Sequence, residues 1–558
     1  MKFFKKSKIL IVVASFAIGA GTMYSFAPES DNYFEISRNL DIFTSLFREL
    51  NIYYVDDVKP GEIMKKGIDE MLESLDPYTN YIPESDIEDF RFMTTGQYGG
   101  IGALIGKKGD RILITDPYEG YPAQKNDLRA GDIILEVDGK KVDYKQTDDV
   151  SKVLKGQPNT TVKLLIEREG EPKPFEKVLT RAEVKIPSVS YSGMLANDVG
   201  YIKLTGFTEN AGEEVRNAFV ELKEKNKIKS LILDLRGNPG GLLHEAVNIV
   251  NIFVDKGTDV VFTKGKVKEW DKEYKALNPP VDTEMPLTVI VNSGSASASE
   301  IVSGALQDLD RAIIIGQRSF GKGLVQTTRP ISYNAQLKVT TAKYYVPSGR
   351  CIQALDYSHR NADGSVGKVP DSLMTEFKTK KGRKVYDGGG IAPDFTTEVE
   401  ELSNISGSLI SKYLIFDYAT AYRMKHSSIT TAKEFKLTDA EYNEFVTWVK
   451  TKTYDYTTRS EKEFEDLKKT AEKEKYYEGL KAEFETMQSK MKHDKEGDLI
   501  KFKDEIKQLL ESEIASRYYY LKGRVENDFV TDREVNKAIE ALNNKAMFDK
   551  IMNGELKK

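Results

Sequence analysis

The fold is decided by residues 287–301, which read LTVIVNSGSASASEI. The apolar and β-branched residues 287–291 predict a buried strand, and the small residues that follow predict a tight turn. The amphipathic stretch 300–309 then predicts a helix. A strand that enters a helix through a short turn is the repeating unit of α/β proteins. It also places the serine hydroxyls of the turn beside the free N–H groups of the first helical turn.

The same alternation of strands and helices extends on both sides of this stretch. Apolar strands are predicted at 200–204, 230–235, 287–291 and 312–316, and helices at 210–225, 245–253 and 299–309. We therefore expect a mixed α/β core over residues 183–400.

Two helical regions flank the rest of the chain. Residues 31–95 have apolar side chains at three- and four-residue spacing, which predicts a small helical N-terminal region. Residues 401–558 are rich in lysine, glutamate and helix formers, which predicts a charged helical C-terminal region with solvated faces; coiled-coil partner binding is the alternative. The fold class is therefore multidomain α/β. A net charge of −5 argues against a nucleic-acid binder.

Residues 96–182 have a pattern of their own, with short strands near 101–105, 111–115 and 161–167 and a helix at 147–154. The string LRAGDIILEVDG at 128–139 is closely similar to the signature of PDZ domains, which have an α+β fold. That resemblance implies binding of peptide C-termini by strand addition. The loop of Gly99, Gly100, Ile101 and Gly102 is then expected to bind the terminal carboxylate through its N–H groups.

The N-terminal segment predicts export. Lysines at positions 2, 5, 6 and 8 precede an apolar run at 9–20, and residues 25–27 form a small-x-small cleavage pattern. We expect residues 1–27 to be a signal peptide or a retained membrane anchor. The protein is accordingly predicted to be periplasmic or in the cell envelope, with anchoring to the inner membrane as the second possibility.

The serine turn and a nearby lysine together indicate nucleophilic catalysis. Ser295, Ser297 and Ser299 all lie in the turn, and the residues alone do not separate them as nucleophile. Lys322 lies between two glycines that allow close backbone approach. A lysine whose charged form is disfavoured by burial can take the proton of a serine, whereas an exposed loop lysine cannot. The pair therefore fits a Ser-Lys hydrolase.

A glycine-rich loop offers electrophilic stabilisation. Residues 231–241, LILDLRGNPGG, predict a strand that ends in a glycine loop. The N–H groups of Gly240 and Gly241, with that of Ala298, could form an oxyanion hole. Asp234 and Arg236 are expected to be a structural polar pair at the strand end rather than a catalytic acid and base.

Five ordered motifs resemble the carboxyl-terminal processing peptidases, also called tail-specific proteases, over roughly residues 32–399. The motifs are GSASASE (294–300), GKGLVQ (321–326), DLRGNPGG (234–241), KYYVPSGR (343–350) and GGIAPD (389–394). The resemblance implies that Ser297 is the nucleophile and Lys322 its base. It also implies that Gln326 orients the lysine amine, and that no metal or organic cofactor is needed.

The predicted function is an exported serine endopeptidase that selects proteins or peptides by their free C-termini and cleaves them with a Ser-Lys dyad. Homo-oligomer formation is left open. One alternative is a noncatalytic PDZ scaffold, and another is a Ser-His hydrolase that uses His244. The other three histidines, His359, His426 and His493, are expected at the surface, and the single cysteine, Cys351, is expected to be a buried small hydrophobe.

Overall fold

The structure is a computed structural model that describes residues 30–142, 146–195, 198–361, 363–491 and 495–555. The chain divides into two compact units, residues 1–81 and 82–558. The first unit contains the helices Ser30–Tyr53 and Pro60–Glu73, as the sequence predicted. The predicted export segment, residues 1–27, lies outside the described residues. Within the described ranges, no helix has both the length and the hydrophobicity that a membrane crossing requires.

The second unit begins with the helix Ile87–Thr95 and continues into the PDZ domain. The PDZ sheet has the spatial order Ala103–Lys108, Arg111–Pro117, Ile133–Val137, Thr161–Glu167 and Phe175–Thr180, and Lys140–Lys141 pairs with its central strand. The helices Pro122–Lys125 and Thr147–Leu154 accompany this sheet, and a separate strand pair joins Gln97–Gly100 to Ala182–Lys185. The strand Ala103–Lys108 is an edge strand, so one side of it is open to strand addition.

The α/β core is built on a six-stranded sheet. Its strands, in spatial order, are Val189–Met194, Val199–Leu204, Ser230–Asp234, Leu287–Val291, Ile313–Gly316 and Phe395–Thr396. The first two are antiparallel and all later neighbours are parallel. The helices Ala211–Glu224, Leu243–Asn251 and Ala298–Asp308 connect them, which confirms the predicted α/β alternation.

Both faces of this sheet are buried by helices. Leu231, Leu233 and Val289 belong to the apolar cluster of the core helices on one face. The alternate residues Ile232 and Ile290 pack on the other face. There they meet side chains of the helices Arg533–Asn543 and Lys545–Met552, among them Val535, Ala538, Leu542, Phe548 and Ile551. Parallel strands need cover on both faces. The end of the C-terminal region therefore supplies the second helical layer of the core, which differs from the solvated helices expected there.

Antiparallel elements complete the core. A second, antiparallel sheet has the spatial order Leu324–Pro330, Gln336–Tyr345, Asp259–Gly265 and Lys272–Lys275. Two separate hairpins pair Leu355–Arg360 with Val366–Lys368 and Glu376–Lys378 with Lys384–Tyr386. The remaining C-terminal helices are Asn404–Ser411, Leu414–Lys425, Asp439–Val449, Arg459–Lys473, Lys481–Met491, Lys495–Lys501 and Lys503–Asp528. The first three and the last two of these share an apolar cluster centred on Leu409, Phe445 and Leu510.

Candidate active site

The three serines of the turn have different environments. The Ser295 hydroxyl is fully buried and donates to the Leu235 carbonyl oxygen at 2.8 Å. The Ser299 hydroxyl is also fully buried and donates to the Asn238 carbonyl oxygen at 2.9 Å. Ser297 alone among the three is partly exposed. A nucleophile must be reachable by its substrate, so the structure distinguishes Ser297 from the two structural serines.

Ser297 occupies a strained backbone position at the start of the helix Ala298–Asp308. Its φ is 55° and its ψ is −111°, a combination that non-glycine residues rarely adopt. Such strain costs on the order of 1–3 kcal/mol and persists only where the surroundings enforce it. Here the enforcing contact is a hydrogen bond of 2.8 Å from the Ser297 N–H to the Glu300 carboxylate. The turn thereby presents the Ser297 side chain at the helix N-terminus.

The Glu300 carboxylate joins the serine turn to the lysine loop. Its Oε2 accepts the N–H groups of Ser297 at 2.8 Å and Lys322 at 2.9 Å. Its Oε1 accepts the Ser319 hydroxyl at 2.6 Å and the Gly321 N–H at 2.7 Å. Full burial raises the pKa of Glu300 to about 7, although all four hydrogen bonds favour the charged form. One buried carboxylate thus accepts donors from both the serine turn and the lysine loop.

The Tyr344 hydroxyl provides a second link between the same two residues. It lies 3.0 Å from the carbonyl oxygen of Ser297 and 2.7 Å from that of Lys322. The tyrosine is buried, and it belongs to the strand Gln336–Tyr345 of the second sheet. The backbones of Ser297 and Lys322 are therefore held together at their N–H groups by Glu300 and at their carbonyl groups by Tyr344.

Lys322 and Gln326 flank the start of the strand Leu324–Pro330. Lys322 is half-buried, and the next two residues, Gly323 and Leu324, are buried. The Gly323 position requires a glycine, since a Cβ there would lie 2.8 Å from the Gln353 nitrogen. Gln326 is partly buried and its Nε2 donates to Thr340 Oγ1 at 3.1 Å. The Gln326 side chain is therefore held against the neighbouring strand Gln336–Tyr345.

The glycine-rich loop lies directly against the serine turn. A Cβ on Gly240, whose φ is +99°, would lie 2.8 Å from Ser297 Cβ and 2.9 Å from the Ala298 nitrogen. The buried Asn238 holds the loop in place, because its carbonyl oxygen accepts the Ala296 N–H at 3.0 Å and its Oδ1 accepts the Gly240 N–H at 2.9 Å. The approach of loop and turn is therefore as close as glycine permits.

The three predicted oxyanion donors are not equivalent. The Gly240 N–H is already engaged by Asn238 Oδ1. The N–H groups of Gly241 and Ala298 find no acceptor among the described residues. An oxyanion site requires N–H groups that are not engaged elsewhere; Ala298 directly follows Ser297, and Gly241 directly follows Gly240, which lies against Ser297. The structure thus favours Gly241 and Ala298 as the available pair.

The predicted carboxylate-binding loop leads into the edge strand of the PDZ sheet. Gly99 and Gly100 pair with Glu183 and Ala182. The carbonyl oxygens of Ile101 and Gly102 accept hydrogen bonds from within the domain, whereas their N–H groups have no acceptor in the described part of the chain. Gly102 has a φ of +72° and its Cβ would lie 2.3 Å from that of Tyr121, so only glycine fits. The loop leaves two N–H groups available to an anion.

The residues set aside by the sequence analysis have ordinary environments. His244, His359 and His426 are exposed, and His493 lies outside the described residues. Cys351 is half-buried rather than fully buried, and burial raises the pKa of its thiol. Asp234 and Arg236 form a buried ion pair with an Nη2–Oδ2 distance of 2.6 Å, as predicted.

Sequence reasoning missed Glu300 and Tyr344, although both lie inside motifs it had noted. Glu300 follows Ser297 by three residues, and a serine with a glutamate at that spacing marks a helix N-terminus whose glutamate bonds back to the cap N–H. That signal could have identified Glu300 from the sequence. Tyr344 gave no such signal, because its two partners lie far from it in sequence.

Family models match three parts of the chain. Residues 198–358 match peptidase family S41, residues 113–168 match a PDZ domain, and residues 405–542 match "Probable PDZ-protease, C-terminal helical domain". These matches fall within the α/β core, the PDZ domain and the C-terminal helical region.

Individual proteins are similar over a large part of the chain. A carboxy-terminal-processing protease of Bartonella bacilliformis is 36% identical over 362 residues, which cover 64% of this chain and 79% of that protein. A "Probable CtpA-like serine protease" of Staphylococcus aureus is 38% identical over 317 residues, or 56% of this chain and 62% of the relative, which is under two thirds of its length. A solved photosystem II D1 C-terminal processing protease is 30% identical, with 64% of this chain and 87% of that chain covered and a TM-score of 0.35.

Proposed function

Since the chain belongs to the carboxy-terminal-processing serine proteases of peptidase family S41, we propose that it hydrolyses peptide bonds with Ser297 as nucleophile and Lys322 as base. The observation that supports this most directly is the shared contact with Glu300. Because Ser297 and Lys322 donate to the same carboxylate oxygen, their backbone nitrogens are separated by no more than the sum of the two hydrogen-bond lengths. A serine and a lysine so placed are the parts of a Ser-Lys dyad.

The reaction begins when neutral Lys322 takes the proton of the Ser297 hydroxyl, whose oxygen attacks the substrate carbonyl carbon. The N–H groups of Gly241 and Ala298 stabilise the oxyanion that forms. The lysine ammonium then protonates the leaving amine, and water releases the acyl group by the reverse sequence of proton transfers. Gln326, whose amide contacts Thr340 Oγ1 at 3.1 Å, orients the amine of Lys322.

The PDZ domain selects the substrate. We propose that the last residues of the substrate add as a strand to the edge strand Ala103–Lys108. The terminal carboxylate then accepts the N–H groups of Ile101 and Gly102. Tethering the tail raises the local concentration of the substrate chain at Ser297. Proteins and peptides with a free C-terminus are therefore the proposed substrates.

The catalytic assignment is tested with the full chain, an unfolded protein substrate and a fluorophosphonate that labels activated serines. Ser297→Ala and Lys322→Ala should each abolish turnover and labelling, and mass spectrometry of the wild type should place the label on Ser297. Ser293→Ala is the matched control, because Ser293 is an exposed serine of the same turn. Full activity of Lys322→Ala together with loss of activity in His244→Ala would indicate a Ser-His pair in place of the Ser-Lys dyad.

The tail assignment is tested with two peptides of one sequence, one with a free C-terminal carboxylate and one amidated. Fluorescence anisotropy with the Ser297→Ala variant should show tighter binding of the free acid. Equal binding of both peptides would show that the loop does not bind the terminal carboxylate. Tail binding without cleavage of any protein by the wild type would identify a peptide-binding scaffold instead.

We also propose that the protein is exported. The support is the sequence of residues 1–27, in which lysines precede an apolar run and a small-x-small site. Fusion of residues 1–40 to alkaline phosphatase, which is active only outside the cytoplasm, should give active enzyme. Replacement of the four lysines and of two central apolar residues by glutamate should abolish that activity, and an inactive parent fusion would overturn the proposal.

A further inference from the structure

The Arg236 side chain connects the glycine-rich loop to the far end of the chain. Its guanidinium binds Asp234 at the end of the preceding strand. It also binds the Asp532 carboxylate with two hydrogen bonds, Nη2 to Oδ2 at 2.7 Å and Nη1 to Oδ1 at 3.0 Å. Glu534 Oε2 accepts a further bond from Nη1 at 3.2 Å. Arg236, which lies in the loop that leads to Gly241, is therefore bound by two carboxylates of the C-terminal region.

Glu534 also reaches two other strand ends of the core sheet. Glu534 Oε1 accepts the Thr397 hydroxyl at 2.8 Å and lies 3.4 Å from Gln317 Nε2. Thr397 follows the strand Phe395–Thr396, and Gln317 follows the strand Ile313–Gly316. The first turn of the helix Arg533–Asn543 is thus bonded to residues after three parallel strands. These are the carboxyl ends of the strands, the edge at which ligands bind in α/β sheets.

The side chains in these contacts are largely shielded from solvent. The exposed fraction of the side chain is 18% for Arg236 and 15% for both Asp532 and Glu534. Bidentate arginine–carboxylate pairs fix orientation as well as distance, because the planar fork matches the two oxygens. Asp234 alone would neutralise the arginine, so the added carboxylates serve to orient its guanidinium. Asp532 is itself fixed, since its Oδ1 caps the helix by accepting the Val535 N–H at 2.9 Å.

Only a short segment separates Arg236 from the oxyanion donors. Asn238, two residues on, is fully buried and its carbonyl oxygen accepts the Ala296 N–H and the Ser299 hydroxyl. Gly240 lies against Ser297 with no space for a Cβ. The loop therefore has two anchors, the serine turn at one end and the C-terminal carboxylates at the other. Gly237 and Pro239 of this segment are exposed, whereas Asn238 and Gly240 are buried, so a shift of Arg236 would reach the Gly241 N–H through the two buried residues.

We propose that Asp532 and Glu534 are positioning residues for the oxyanion loop, so that the C-terminal helical region is part of the active-site framework of this protease. The proposal rests on the proposed function, because it assigns Gly241 as an oxyanion donor. It gives the charged C-terminal region a role in the chemical step in addition to its cover of the sheet face. Neither residue touches the substrate; each acts through Arg236.

The test uses Asp532→Asn, Glu534→Gln and the double variant in the full chain. Asparagine keeps the helix cap of Asp532 but replaces one oxygen facing the guanidinium by an amide group. Glu540→Gln is the matched control, because Glu540 is an exposed residue of the same helix whose carboxylate accepts a hydrogen bond from Lys537. We expect the double variant to lose about 10- to 100-fold in kcat, since one fully removed oxyanion donor costs about 100- to 1,000-fold. KM for a tail-bearing peptide should stay at the wild-type value, and the variant should remain fully folded at the assay temperature even where its Tm is lower.

Two further measurements separate a positioning role from a structural one. Labelling of Ser297 by the fluorophosphonate should slow in proportion to kcat, and hydrogen exchange of the backbone amides in residues 236–242 should accelerate. In an Arg236→Gln background, Asp532→Asn should have no additional effect on kcat, because it acts through the missing arginine. A kcat of the double variant within twofold of the Glu540→Gln control, or a loss that merely follows a loss of folded protein, would overturn the proposal.

Failure of the proposed function gives a different result. In that case the wild type itself would show neither turnover nor label on Ser297. The exchange rates in residues 236–242 would still decide whether Asp532 and Glu534 hold the loop.

Discussion

Ser297 and Lys322 donate their backbone N–H groups to one carboxylate oxygen, Oε2 of Glu300, at 2.8 and 2.9 Å. Their carbonyl oxygens lie 3.0 and 2.7 Å from one hydroxyl, that of Tyr344. The two residues belong to different loops, which follow different strands of the sheet. Two buried polar groups therefore set the distance between the proposed nucleophile and base. Because Glu300 and Tyr344 hold the two backbones close together, the side chains of Ser297 and Lys322 start from neighbouring positions.

Glu300→Gln should lower kcat by about 100-fold, which is the cost expected when reacting groups are misplaced by about 1 Å. Glutamine has one acceptor oxygen, whereas four donors point at the carboxylate. Its NH₂ group would face two of those donors, and each buried donor left without an acceptor costs about 1–3 kcal/mol. Steady-state kinetics and fluorophosphonate labelling give the measurement, with the exposed Glu269→Gln as control. Wild-type kcat in Glu300→Gln would show that the carboxylate does not position the dyad.

The pH dependence of stability should report the burial of Glu300. Burial raises its pKa from 4.5 to about 7. Between these values the folded state binds more protons than the unfolded state, so stability falls as pH rises and then levels off above the folded pKa. At about 1.4 kcal/mol per pH unit, the difference in unfolding free energy between wild type and Glu300→Gln should change by roughly 3 kcal/mol between pH 4.5 and 8. Urea unfolding measures it, and a constant difference across that range contradicts the assignment.

Gly240→Ala should abolish most of the turnover while a neighbouring substitution is tolerated. A Cβ on Gly240 would lie 2.7 Å from the Ala296 carbonyl oxygen and 2.8 Å from Ser297 Cβ, so the loop must move away from the serine turn. Gly237→Ala is the matched control, because Gly237 also has a positive φ, +68°, but no atom within 4 Å of its Cβ. We expect a loss in kcat of at least about 100-fold for Gly240→Ala. Equal activity of the two variants would show that the position of the loop does not affect catalysis.

Local patterns predicted the core well, because they depend on neighbouring residues. The predicted strand 287–291 and helix 299–309 agree with the structure within one residue, and the Asp234–Arg236 pair lies where the strand end predicted it. The three serines could not be separated locally. Ser295 and Ser299 are excluded as nucleophiles because their buried hydroxyls donate to carbonyl oxygens of the loop at 235–238. A single sequence does not indicate which hydroxyl faces that loop.

Contacts between distant segments were beyond prediction from one sequence. Asp532 and Glu534 lie about three hundred residues from Arg236, in a region whose lysine and glutamate content predicted solvated helices. The buried apolar face of that region was nevertheless visible at 535, 538 and 542, with helical spacing. The composition did not indicate what this apolar face packs against, which is a parallel sheet that needs a second helical layer.

Arg350→Met should destabilise the protein by about 3–5 kcal/mol, because it leaves a buried carboxylate without its cation. Arg350 is 1% exposed; its Nη2 lies 2.8 Å from Asp308 Oδ1 and 2.9 Å from Gln307 Oε1. Both partners belong to the last turn of the helix that Ser297 begins, so the KYYVPSGR motif holds the far end of that helix.

The ion pair and not the arginine alone should account for this loss of stability. Arg350→Met combined with Asp308→Asn should regain part of the stability, since the uncompensated charge is then gone. The exposed Arg216→Met is the control, with an expected change within about 0.5 kcal/mol. Urea unfolding of the four proteins decides: a double variant less stable than Arg350→Met would mean that the charge of Asp308 is satisfied by other groups, such as the Ser348 N–H that its Oδ2 accepts at 3.0 Å.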